Sequence, residues 1–396
     1  MDITQRGMIT LLKSALTGEP LALPEGFDME AAYLQIRRHH VAAMAYDGAV
    51  RCGISRQEPA MQKLFRSCCQ ALMVSERQMR EVGRIFAAFD RAGIDYMPLK
   101  GCNMKALYPK LELRMMGDAD VLIRMEQYEK IVPLLESLGF RAKRDTDHEL
   151  VWQSDGLYLE LHKRLIPSYY QDLNAHFGDG WKAAARRDGT RYAMTAEDEF
   201  VYLVTHAAKH FRVGGIGCRH IVDLWVYLRA NPGMDGRLIE SALDRVQLER
   251  FYGNIRRLLT VWFEGAETDN VTEFITEYVF SSGSWGTMEH TLYAREVMKV
   301  RGAGAVRNSK GKALCEMLFP PLKALRMEYH VLDKHSWLLP VYWVVRWVEV
   351  LLFRRGNIRK KLGIIRQMSD DKVAAYRQAL NYMGLDHCMD KPADAR

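Results

Sequence analysis

The hydrophobic period of the chain changes at Ile94, and that change limits the fold more than any other feature. Before it, apolar residues recur at three- and four-residue spacing from Asp28 to Val50 and from Glu58 to Arg91, which predicts helices packed by one face. In the second stretch Leu64, Cys68, Leu72, Val74 and Met79 form the expected buried stripe, and Gly93 follows as a helix stop. After Ile94 the runs shorten. Residues 94–99 and 119–124 predict strands with a helix over Gly101 to Tyr108 between them. Residues 126–138 predict a helix that continues through Pro133 and closes at Gly139. Residues 148–154 and 157–163 predict two more strands around Asp155-Gly156, a pair that favours a tight hairpin. Helices return at 196–211, Arg219 to Leu228 and Gly236 to Phe263, then around 316–380 with breaks at Pro320-Pro321 and Pro340. The expected class is α+β, a small mixed sheet with helices on one face, flanked by helical N- and C-terminal regions. The corresponding boundaries are 1–92, 93–192 and 193–396.

Within that frame, Asp118 and Asp120 carry the chemistry. Two residues apart on a strand, they share a face about 6.6 Å apart along the backbone, while Ala119, Val121 and Ile123 point to the core. Like charges held this close call for a compensating cation, and oxygen-only ligands favour Mg²⁺ or Mn²⁺ over zinc. In Tyr158-Leu159-Glu160-Leu161-His162 alternation puts Glu160 and His162 on one face and the leucines on the other. If that strand lies beside the aspartate strand, Glu160 joins the pair. Gly101 opens a helix just after a strand, where backbone N–H groups can approach a phosphate, and Lys100 and Arg114 add positive charge.

These stretches together resemble the nucleotidyltransferase superfamily, in which a glycine-containing turn precedes an acidic pair and a later strand supplies a third acid. More closely, the chain resembles the bacterial uncharacterised nucleotidyltransferase family. The resemblance rests on Leu99-Lys100-Gly101, Arg114 with Asp118-Ala119-Asp120, Leu159-Glu160-Leu161-His162, and His206, Lys209, His210 with Asp223-Leu224. Phe319-Pro320-Pro321 and Leu338-Leu339-Pro340 extend it. Cys102 stands where the superfamily usually has a second glycine or a serine, and the gap from Gly101 to Asp118 is longer than usual. The resemblance implies a nucleotidyltransferase-type sheet and Mg²⁺-dependent (or Mn²⁺-dependent) transfer of an NMP moiety from an NTP, ATP included, to an acceptor hydroxyl. Asp118, Asp120 and Glu160 would be catalytic and hold metal, and Lys100, Gly101, Arg114 and Lys209 would bind nucleotide. His206 and His210, four apart on one helix face, are expected first as buried or hydrogen-bonded histidines, then as substrate or phosphate contacts and last as zinc ligands. His162 is expected either to touch the metal shell or acceptor or to pack as an edge histidine, and the resemblance implies that Asp223 orients a histidine. The acceptor is open among small molecule, sugar, protein and RNA. The alternative is a non-catalytic nucleotide-binding module, or an antitoxin-like or accessory protein.

Composition narrows this only slightly. The net charge of +7 permits an anionic partner without selecting one. Seven irregularly spaced cysteines form no CxxC pair and are expected as buried thiols in a reducing compartment. The N-terminal stretch lacks the pattern of a secretion signal and no apolar run is long enough to span a bilayer, so a cytoplasmic location is expected. Trp337 to Phe353 is unusually apolar and is followed by Arg354, Arg355, Arg359, Lys360, Lys361 and Arg366 with no acid among them. A core helix with a solvated basic end is the expectation, and peripheral membrane contact through 337–366 is the competing one. His39-His40 are expected inside a helix, and His148 has no assigned role.

Overall fold

The computed structural model describes residues 1–168, 170–284, 286–298, 308–326, 329, 331–353 and 355–386. Arg354, Cys388 and the C-terminal residues expected to fray lie outside the described residues. The chain divides into two compact units, Met1–Lys209 with Ile216–Trp285, and His210–Gly215 with Gly286–Arg396.

In the first unit four helices precede the sheet: Ile3–Thr17, Met29–Arg38, Ala42–Arg51 and Pro59–Ala92. The last is 34 residues long, starts on Pro59 and ends at Gly93 with φ 65°. Its buried face runs through Leu64, Ala71, Ser75, Gln78, Val82, Ile85 and Phe89. The expected stripe is therefore corrected, because Leu72 is 42% exposed. Two polar side chains take inward positions: Ser75 Oγ accepts from the Lys105 amine at 2.9 Å, and Gln78 donates to the Met116 carbonyl at 2.9 Å. The stretch from Asp28 to Val50 is likewise two helices, broken at His39-His40 with His40 at φ 54°. The break has a long-range cause. His39 Nδ1 accepts from the Cys218 amide at 3.2 Å, and its Nε2 donates to the Phe280 carbonyl at 3.3 Å.

The sheet has seven strands: β1 (Tyr96–Pro98), β2 (Asp118–Ile123), β3 (Arg141–Asp145), β4 (Glu149–Gln153), β5 (Tyr158–His162), β6 (Ala184–Asp188) and β7 (Arg191–Met194). Their order is β3-β4-β5-β2-β1-β7-β6. The pairs β2/β5 and β1/β7 are parallel and the rest antiparallel, so the sheet is mixed and the class is α+β. One face is the core. Val82, Ile85 and Phe89 of the long helix and Ile131 and Leu135 of the helix Tyr128–Ser137 pack with Ala119, Val121, Ile123, Leu159 and Leu161. Because strand side chains alternate, Asp118, Asp120, Glu160 and His162 are committed to the opposite face.

After the sheet come the helices Ala196–Val213 and Cys218–Ala230. The expected helix from Gly236 to Phe263 is instead Gly236–Arg245 and Glu249–Leu259, parted at Gln247 with φ 56°, and continues as a wider turn over Thr260–Glu264. The second unit is helical, with Met288–Met298, Ser309–Leu318, Leu339–Phe353, Arg355–Gln367 and Asp370–Tyr382 as its longer elements. Among the described residues no helix is long and apolar enough to cross a membrane. Two expectations are corrected. Leu339–Phe353 is not a core helix, since Val341, Val344, Val348 and Leu352 are exposed. The thiols are not uniformly buried either: Cys69 and Cys315 are exposed, Cys218 is buried, and Cys52, Cys68 and Cys102 are half-buried.

Candidate active site

The site is built by register. Parallel pairing sets Asp118 opposite Tyr158, Asp120 opposite Glu160 and Leu122 opposite His162. The carboxylates of Asp120 and Glu160 thus rise from adjacent strands on one face, with Asp118 two residues before Asp120. The turn after β1 brings in Lys100, whose backbone sits at φ 40°, and the Leu99 amide fixes that turn by donating to the Asp120 carbonyl at 2.9 Å. At Gly101 an added Cβ would lie 3.0 Å from both Arg114 Nη1 and Met116 Cγ, so a larger residue fits only if those side chains give way by a few tenths of an ångström. Cys102 packs beside the hydrophobic core.

Lys100 Nζ donates to Asp120 Oδ1 at 2.7 Å, and His162 Nε2 donates to the same oxygen at 2.8 Å. Glu160 Oε2 is 3.9 Å from His162 Nε2. Burial works against the Lys100 charge, yet Asp120 holds its ammonium above the ordinary range. Burial also opposes the Asp120 charge, but Lys100 and His162 keep that carboxyl well below its usual value. Asp118 is pushed up by burial and by Asp120. Glu160 goes further, to about 8, through burial and the charges of Asp120, Asp118 and Glu149. Three carboxylates share this face with one direct ion pair, Lys100 to Asp120, and the charges of Lys209 and Arg219 act on them from further off.

A divalent cation suits this set. Ligand atoms of Asp120, Glu160 and His162 all lie within 4.8 Å of one another. Burial and the Lys100 charge lower the His162 pKa, which leaves a neutral imidazole, and its buried Nδ1 has no hydrogen-bond partner. Two carboxylates with an imidazole accept Mn²⁺ as well as Mg²⁺. The imidazole is the donor that an oxygen-only reading leaves out.

Beside this set lies a second, closed one. Arg114 grips Asp223 with two bonds, Nε to Oδ1 at 3.0 Å and Nη2 to Oδ2 at 2.9 Å, and the Tyr108 hydroxyl donates to Oδ1 at 2.6 Å. Arg114, expected at phosphate, is thereby engaged, as is Asp223, expected to orient a histidine. Lys105 is buried next to them and donates to Ser75 Oγ and to the carbonyls of Leu111 and Arg114.

Lys209 reaches the same region as the carboxylates. Burial and the Lys100 charge lower its amine to about 8, against the attraction of Glu149, Asp120 and Glu160. His206 has its ring 6.2 Å from His220 and 6.4 Å from Tyr202. His210 belongs to the second unit.

Two further residues were not anticipated. Glu149 sits opposite His162 in the β4/β5 pair, with Arg144 Nη2 donating to it at 2.6 Å and His148 Nε2 at 3.0 Å from its other oxygen. The alternation of Glu149 and Val151 against Leu150 and Trp152 carries that signal in the sequence. Arg219 donates to the Met115 carbonyl at 3.2 Å and its charge acts on Asp118. No local pattern points to it.

A mixed sheet with an acidic pair at a strand start, a third acid from the parallel neighbour and a Lys-Gly turn matches the pattern that the resemblance to nucleotidyltransferases implies. Residues 25–264, more than half of the chain, match the model of the uncharacterised nucleotidyltransferase family, and the chain belongs to that family. No curated protein matches it. Two solved structures are similar at low level. One is the solution structure of the antibiotic-resistance factor ANT(2″)-Ia, at 16% identity and TM-score 0.34, covering 46% of this chain and 97% of that one. The other is a crystal structure of ANT(2″)-Ia with adenylyl-2″-tobramycin, at 13% identity and TM-score 0.32, covering 42% and 95%.

Proposed function

We propose that the protein transfers an NMP moiety from an NTP to an acceptor hydroxyl with a divalent cation, Mg²⁺ or Mn²⁺, held by Asp118, Asp120 and Glu160 together with His162. The observation that carries this reading is the register of Asp120 against Glu160, with Asp118 on the same face and Lys100 paired directly with Asp120. When bound, the cation neutralises the triphosphate and the departing pyrophosphate. The acceptor oxygen forms a bond to the α-phosphorus while the bond to the bridging oxygen breaks, and pyrophosphate leaves with that electron pair. Glu160, in its ionised form, would take the acceptor proton. Lys100, which donates to Asp120 here, and Lys209 would supply two amines to the triphosphate. Gly101 keeps the turn low enough for phosphate to approach. Arg114 and Asp223 brace that turn from behind, so their contribution is positional.

One observation favours a second reading, a module that holds nucleotide without transfer: Asp120 is already engaged by both Lys100 and His162. Incubation with each labelled NTP and Mg²⁺ or Mn²⁺ in cell extract, followed by mass analysis, separates the two. Transfer gives pyrophosphate and an acceptor heavier by one NMP, and mass analysis then shows whether that acceptor is a small molecule, sugar, protein or RNA. Nucleotide binding with no pyrophosphate under any NTP would reject transfer. Co-purification of a partner chain would favour an accessory role.

A further inference from the structure

The helix Leu339–Phe353 is amphipathic the wrong way round. Trp337, Val341, Val344, Val348 and Leu352 are 50–75% exposed and recur every three or four residues, forming one outward stripe. The polar atoms of the helix turn inward. Arg346 Nη1 donates to the Met317 carbonyl at 3.2 Å, Glu349 Oε2 accepts from the Tyr329 hydroxyl at 2.6 Å, and Trp343 Nε1 donates to the Pro320 carbonyl at 2.9 Å. A contiguous apolar surface on a chain of this kind marks a place of contact.

What it contacts is indicated by the next helix. From Arg354 to Met368 the sequence holds six cationic residues and no acid, and Arg359, Lys360 and Arg366 are exposed. We propose that the stripe and this basic helix together dock the protein on an anionic lipid surface, with the valines in the acyl boundary and the arginines and lysines at the headgroups. A second copy docked on the stripe would bring two such cationic helices together and be repelled. Spanning is excluded by length, since 15 residues reach about 22 Å against a hydrocarbon core of about 30 Å. The proposal is independent of the transfer reaction.

The test is co-sedimentation of the full chain with phosphatidylcholine vesicles, with and without about 30 mol% phosphatidylglycerol. Binding at least about tenfold tighter to the anionic vesicles, weakened by salt, is expected. Val344→Asp with Val348→Asp should lose binding about tenfold or more at unchanged circular dichroism. Arg359→Glu with Lys360→Glu, outside the stripe, gives a second route to the same loss. Equal binding to both vesicle types, or binding to neither, overturns the proposal. So does a concentration-dependent dimer in sedimentation velocity that the valine variant abolishes.

Discussion

The turn at Lys100-Gly101 stands between two charge clusters that solve burial in opposite ways. On one side Arg114, Asp223 and Tyr108 match donor to acceptor, with every close contact under 3.1 Å. On the other, Asp118, Asp120 and Glu160 crowd together with one direct ion pair, Lys100 to Asp120, a neutral imidazole on the same oxygen, and the charges of Lys209 and Arg219 further off. A matched cluster gains nothing from a ligand and loses much when cut. An unmatched one is costly to hold empty, binds a cation by relieving its own repulsion, and tolerates the removal of one carboxylate.

The largest effect is expected where the match is broken. Arg114→Met leaves Asp223 buried without its two-bond partner, held by Tyr108 and the Arg219 charge, and should cost about 3–5 kcal/mol in urea unfolding. Arg114→Met with Asp223→Leu should recover much of that, because no charge remains buried unpaired. If the single variant unfolds at the wild-type midpoint, the closed cluster does not brace the fold.

Asp118→Asn should do the reverse. Transfer should fall by about 10²–10³-fold, about 3–4 kcal/mol of barrier, while stability stays level or rises as repulsion with Asp120 is relieved. Retained transfer in that variant would remove Asp118 from the reaction. A smaller effect separates binding from chemistry. At a hundredfold excess over its Kd, Mg²⁺ or Mn²⁺ should stabilise the wild type by about 2.7 kcal/mol in thermal unfolding, and Glu160→Gln should lose most of this. Equal stabilisation of the Arg114→Met variant is also expected, since the second cluster has no part in holding the cation.

The two clusters were unequally legible in the sequence. Asp118, Asp120 and Glu160 stand out because alternation with buried neighbours fixes their face, whatever lies further away. The Arg114–Asp223 pair spans 109 residues and follows no period, so nothing local announces it. The same reasoning explains the missed strands β3, β6 and β7. Arg-Ala-Lys-Arg-Asp and Ala-Ala-Arg-Arg-Asp expose nearly every side chain and carry no apolar alternation, and pairing with the sheet alone makes them extended. Hydrophobicity places the buried stripe of the long helix one face away, because Ser75 and Gln78 are buried to serve Lys105 and Met116, a demand that hydrophobicity does not record. His39 breaks its helix to bond Cys218 and Phe280, each more than 170 residues away.

The smallest expected effect tests whether the closed cluster is held by charge or by shape. Burial alone would raise the Asp223 carboxyl, but Arg114 and the bonds from Arg114 and Tyr108 hold it below its ordinary 3.8. A carboxyl depressed in the folded state contributes stability that is full above its unfolded value and is lost as pH falls through the folded one. The stability gap between wild type and Asp223→Asn should therefore be constant from neutral pH down to about pH 5, then shrink below about pH 4, measured as urea midpoints at each pH. Asparagine keeps the size and most of the hydrogen bonding, so the part of the gap that survives at low pH reports packing and the part that vanishes reports the ion pair. A gap as wide at pH 3 as at pH 6 would mean that the arginine grips Asp223 through geometry, and that the contrast between the two clusters is one of shape rather than charge.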